Sequence, residues 1–64
     1  MGDYAPKLRE ILVGAGCWKV RQGKGDHEIW ESPINGRRFP VDGKIKSRHT
    51  ANAVLKQAGR PKEF

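Results

Sequence analysis

The sequence predicts an α+β fold of order α-β-β-β-α: a three-stranded antiparallel sheet with both helices on one face. Three observations point to it. Leu8, Ile11, Leu12 and Ala15 recur at the spacing of one helical face, and Ala51, Val54, Leu55 and Ala58 repeat the pattern. Between the two stripes lie three short strand-like runs separated by glycine- and proline-bearing segments. A chain of 64 residues fits a single domain, residues 1–64, and nothing larger.

Each element has local reasons to form. Asp3 can cap the first helix, and Pro6 is tolerated in its first turn, where backbone N–H groups lack intrahelical partners. Gly16 can end that helix in the left-handed conformation. The first strand is expected from Trp18 to Arg21, with Trp18 and Val20 on one face and Lys19 and Arg21 on the other. Gln22 to Asp26 reads as a loop, and His27 to Glu31 as the second strand. Ser32-Pro33-Ile34-Asn35-Gly36 has strong turn chemistry. The third strand runs from Arg37 or Arg38 to Val41, with Pro40 marking an edge. A basic loop, Asp42 to Lys46, leads to the second helix. Ser47 or Thr50 can cap that helix, Gly59 stops it, and Pro61 prevents its continuation.

Strand alternation bears on where His27 points. If Trp30 faces the helices, His27 and Ile29 face outward. If Ile29 is the core residue instead, His27 turns inward at the sheet edge. The size of Trp30 favours the first arrangement.

Composition narrows the partners. Lys and Arg number 13 against 7 Asp and Glu, a formal net charge of +6. A small basic domain suits a polyanion, because each phosphate contact releases counterions. The core of so short a chain is too small to enclose a large cofactor, so function belongs on a surface or in a shallow groove. Cys17 is the one cysteine, so no internal disulfide can form, which favours a reducing, cytoplasmic setting. No apolar run reaches membrane-spanning length, no signal peptide is visible, and no zinc-ligand spacing occurs. A membrane partner and a metal are therefore not expected.

The order and spacing of several segments resemble the HicA (YcfA-like) mRNA interferase toxins of HicA–HicB toxin–antitoxin systems. The segments are Gly14-Ala15-Gly16, Trp18-Lys19-Val20-Arg21-Gln22, Gly25-Asp26-His27-Glu28-Ile29-Trp30, Gly36-Arg37-Arg38 and Val54-Leu55-Lys56-Gln57-Ala58-Gly59. The resemblance spans nearly the whole chain. It implies a fold similar to double-stranded-RNA-binding domains, an RNA-cleaving activity, no cofactor, and a HicB-type antitoxin protein that covers the catalytic histidine. That histidine follows Gly-Ser in the family, and the matching position is His27. Two departures stand out. Asp26 replaces the family's serine, and Val41-Asp42-Gly43-Lys44 replaces a His-Gly-Gly-Lys-like segment.

The residue chemistry agrees with that implication. RNA cleavage needs a proton acceptor at the 2′-hydroxyl and a proton donor at the leaving 5′-oxygen, and histidine can serve as either near neutral pH. His27 is the candidate, against the alternative of a loop histidine bonded to backbone. A neighbouring carboxylate such as Asp26 would favour the imidazolium form, but would also repel a substrate phosphate. Gly23 and Gly25 flank Lys24, so this loop either lets backbone approach a phosphate or supplies hairpin flexibility. It is no P-loop, since Gly-Lys-Ser/Thr entering a helix is missing. Lys19, Arg21, Lys24, Arg37, Arg38, Lys44 and Lys46 form the expected RNA footprint. Trp18, Trp30 and Phe39 are expected in the core, with Cys17 as a small core residue. A non-catalytic nucleic-acid-binding module, and a protein whose main partner is an acidic protein surface, are the alternatives.

Overall fold

A computed structural model describes residues 3–64. The elements are α1 (Ala5–Gly14), β1 (Trp18–Gln22), β2 (Glu28–Glu31), β3 (Arg38–Val41) and α2 (Arg48–Gln57). The strands form one antiparallel sheet in the order β1-β2-β3. The expected α+β order is therefore present, and β3, with Pro40, is an edge strand.

The helical stripes do what their spacing requires. Leu8 and Leu12 of α1, and Ala51, Val54 and Leu55 of α2, are buried together with Trp30, Phe39 and Val41 of the sheet. In β2 and β3, Trp30 lies opposite Phe39 and Glu28 opposite Val41. Directly opposed residues share a face, so this is the helix-covered side. Ile29 opposite Pro40, and Glu31 opposite Arg38, make up the open side. Trp30 thus wins the competition over parity, and Ile29 is left half-buried on the outer face.

The first strand departs from regular alternation. Lys19 opposes Trp30 and Arg21 opposes Ile29, with a β-bulge at Val20 between them. A bulge sets two residues against one and reverses the facing of everything beyond it. Trp18 consequently opposes Glu31 on the open face and is 46% exposed, while Lys19 lies on Trp30's face. The expected facing of Trp18 and Lys19 is corrected on this ground, and Trp18 is not a core residue.

The ends are closed by specific bonds. Gly16 adopts φ +89°, the left-handed conformation, and Cys17 N–H donates to Leu12 O at 2.9 Å to finish α1. The N-cap position of α1 is Tyr4, not the expected Asp3. From one residue earlier, Asp3 Oδ1 accepts from Ala5 N at 3.0 Å and from Ile45 N at 3.1 Å, so one carboxylate serves the first N–H of α1 and anchors the β3–α2 loop. Ile45 is buried beside it, a core contribution from a loop that reads as merely basic. Ser47 is the residue at the start of α2, although its side chain makes no capping bond, and Thr50 lies inside the helix. The β2–β3 turn closes the other end of α2. Ser32 Oγ donates to Ala58 O at 2.7 Å, and Asn35 Nδ2 donates to Gln57 O at 2.9 Å. Asn52 ties down the C-terminal tail by accepting from Phe64 N and donating to Phe64 O, which lays the Phe64 ring edge-on against Tyr4.

Two carboxylates make stability depend on acid. The hydrogen bonds from Ile45 and Ala5 hold Asp3 below its ordinary 3.8. The Trp30 indole, followed by Arg9 and Lys19, holds Glu28 below its ordinary 4.5 against the opposing effect of burial. A depressed carboxylate stabilises the fold above its unfolded pKa, and that contribution is lost as pH falls through the folded value. The urea midpoint is therefore expected to fall as pH drops from about 5 toward about 2. Asp3→Asn keeps an acceptor oxygen but no charge. Its deficit against the parent should be present at neutral pH and vanish in acid, and a deficit that persists in acid would contradict this account.

Candidate active site on the open sheet face

His27 is the last residue of the β1–β2 loop, one position before β2. The loop around it is fixed by its own backbone. Gly23 N donates to His27 O at 2.7 Å, His27 N donates to Lys24 O at 3.2 Å, and Gln22 Nε2 donates to both Gly25 O and His27 O. Gly25 sits at φ +65°, a conformation that L side chains rarely adopt, so glycine has a backbone reason to stand there.

The imidazole meets a carboxylate that sequence reasoning did not single out. His27 Nε2 is 3.2 Å from Asp42 Oδ1, and both side chains remain close to half exposed. The pair extends the β2–β3 ladder by one rung beyond Glu28 opposite Val41. It therefore belongs to the open face, with Ile29 and Pro40. The available signal was the turn: Ser32 N–H donates to Arg37 O, and residues equally far from that turn on either strand must meet.

The neighbouring acids have other places. Glu28 lies on the helix-covered side, where its Oε1 accepts from Trp30 Nε1 at 3.0 Å and from Arg9 Nε at 3.3 Å. Asp26 reaches across to the β3–α2 loop, and a Cβ built on Gly43 would stand 2.9 Å from its Oδ2. Gly43 is thus the residue that lets the two loops approach. Arg9 also donates to Gly43 O at 3.4 Å, which links α1 to the loop carrying Asp42. Arg9 was not among the expected site residues.

The basic residues divide by position. Lys24 in the β1–β2 loop, and Lys44 and Lys46 in the β3–α2 loop, are exposed at the His27 end of the sheet. Arg21, opposite Ile29, is exposed on the same face as His27. Arg37 and Arg38 lie at the far end of the sheet, and Arg38 Nε holds Glu31 Oε1 at 2.9 Å. Lys19 does not join the His27 face. Its Nζ is 3.6 Å from Glu28 Oε2 and donates to Gln22 Oε1 at 3.2 Å.

A groove of about 360 Å³ between α2 and the C-terminal tail includes His49, Lys56, Arg60 and Lys62 in its lining but not His27. No helix among the described residues is long and apolar enough to cross a membrane.

Comparison with known proteins converges on the same stretch of chain. Searches among curated proteins and among solved structures return no match. The family model described as HicA toxin of bacterial toxin-antitoxin matches residues 5–59, from the start of α1 to the glycine after α2. The chain, with both helices and the sheet that carries His27 inside that match, belongs to the HicA toxin family.

Proposed function

We propose that this chain is an endoribonuclease toxin, an mRNA interferase of a type II toxin–antitoxin module, with His27 as the group that moves protons. The observation that carries the proposal is the His27–Asp42 pair on the open sheet face of a chain in a toxin family. Asp42 Oδ1, 3.2 Å from Nε2, is placed to orient the imidazole. In the reaction, the 2′-oxygen attacks the adjacent phosphorus while its proton passes to a base. The P–O5′ bond breaks, and the 5′-oxygen receives a proton. The products are a 2′,3′-cyclic phosphate and a 5′-hydroxyl. The nucleophile is internal to the RNA, so the step requires no cofactor. His27 acts as general acid/base.

Lys24, Lys44 and Lys46 stand where they can hold phosphates beside His27, and Arg21, Arg37 and Arg38 extend the cationic track along the sheet. Lys19 serves chiefly to neutralise Glu28. Gly23, Gly25 and Asp26 shape the loop rather than react. The protein partner is a HicB-type antitoxin that covers the His27 face, and the compartment is the cytoplasm, where mRNA is met. Residues 1–64 act as one HicA-like domain.

The test is incubation of the purified protein with end-labelled mRNA in chelator-containing buffer. Fragments ending in cyclic phosphate are expected. RNA that stays intact while still shifting with the protein would overturn cleavage and leave a non-catalytic RNA-binding module.

A further inference from the structure

The open face of the sheet carries an indole that the core does not use. Trp18 is 46% exposed, whereas Trp30, one rung away on the other face, is 5% exposed. The bulge between Lys19 and Arg21 creates the difference. Regular alternation continued from Arg21 would set Val20 and Trp18 on the helix side and Lys19 outside. The extra residue exchanges the two, placing an aromatic ring outward and a lysine inward. Bulges are frequent beside active sites, where they re-aim side chains.

The ring's neighbours on this face follow from the pairing register. The pairing register puts Trp18, Glu31 and Arg38 on one rung, Arg21, Ile29 and Pro40 further along, and His27 with Asp42 at the far end. Four residue steps along β2, from Glu31 to His27, separate the Trp18 rung from His27, about 13 Å at strand rise. An exposed indole that shares its sheet face with Arg21 and Arg38, in a chain of net charge +6, is a combination suited to unpaired nucleic acid. Bases stack on the ring, and phosphates follow the cations. Duplex RNA keeps its base faces stacked internally and offers none to a protein surface.

We infer that Trp18 is a base-stacking subsite, on which an unpaired nucleotide of the RNA rests while the strand continues along β2 to the His27–Asp42 pair. The inference rests on the ribonuclease reading and adds to it a preference for unpaired RNA and a fixed distance from the anchored base to the cleaved bond. Arg38 supplies a phosphate contact at the anchored base even while it holds Glu31, because its guanidinium has further N–H donors.

The experiment uses the full chain carrying His27→Ala, so that RNA survives, and reads the affinity for a labelled unpaired octamer by fluorescence anisotropy. Adding Trp18→Ala should weaken binding about 5- to 150-fold. Trp18→Phe should retain most of the affinity, because the aromatic face remains. Binding of a duplex of the same sequence should not change. An abasic substitution walked along the octamer should weaken binding to the parent at one position, and that sensitivity should vanish in the Trp18→Ala protein. A merely structural role for Trp18 would not remove a position-specific dependence on the base. Unchanged octamer affinity in a folded Trp18→Ala protein overturns the stacking subsite alone and assigns the indole to a protein partner. Absence of any RNA binding by the His27→Ala parent overturns the ribonuclease reading, and this inference with it.

Discussion

His27→Ala is expected to lose roughly 10²–10⁴-fold of the RNA-cleavage rate while folding as the parent does. The side chain is half exposed, and among the described residues its polar side-chain contact is with Asp42, itself partly exposed, so little packing is lost. Added imidazole should restore part of the lost activity, because the cavity left by truncation can admit the missing base. Wild-type activity in the variant would sink the assignment of His27. Asp42 separates two accounts of the same pair. If it orients the imidazole, Asp42→Asn lowers kcat and leaves KM unchanged or lower, since removing a negative charge near the RNA cannot weaken phosphate binding. If it only repels substrate, the same variant gains activity. Asp42→Glu, with a carboxylate on a longer arm, should recover part of kcat in the first case. All three proteins need only chelated buffer, labelled RNA and circular dichroism to establish that they are folded.

The parts of this molecule that were legible in advance are those governed by period. Ala51, Val54, Leu55 and Ala58 are all buried, as helical spacing demands. Gly16 ends α1 with positive φ, and Pro40 sits on an edge strand. His27 faces the open side because Trp30 takes the core position. What could not be read is whatever depends on a register shift or on contacts distant in sequence. No single residue announces the bulge at Val20, yet it exchanges the faces of Trp18 and Lys19. That one insertion sets Lys19, expected on the His27 face, beside Glu28 instead, and turns Trp18, expected in the core, outward. Asp42 belongs to a different class. Its pairing with His27 follows from the symmetry of the β2–β3 turn, but only once the turn is centred correctly. Arg9 bridges α1, Glu28 and the backbone of Gly43, a convergence of three segments that linear reading does not bring together.

The two tryptophans test the assignment of faces directly, because the same substitution should have unequal effects at each. Trp30→Ala is expected to destabilise the chain by about 3–5 kcal/mol, the usual cost of emptying an aromatic core position. A domain of this length has roughly 3–10 kcal/mol to lose, on a scale of about 0.05–0.15 kcal/mol per residue. The variant should therefore be substantially unfolded in water, or unfold at a small fraction of the parent's urea concentration. Part of the loss is polar. The indole N–H donates to Glu28 Oε1 at 3.0 Å, and its removal leaves a partly buried carboxylate without its strongest partner. Trp30→Phe separates the contributions, because it keeps most of the ring area and loses the donor. It should cost about 1–3 kcal/mol, the penalty for an unmade bond to a buried charged group. Trp18→Ala, with its ring about half exposed on the open face, should cost clearly less, about 1–2 kcal/mol, and leave the chain folded. Equal destabilisation at the two positions would mean that both rings serve the core. The bulge would then not turn Trp18 outward, and the proposed platform would disappear with it.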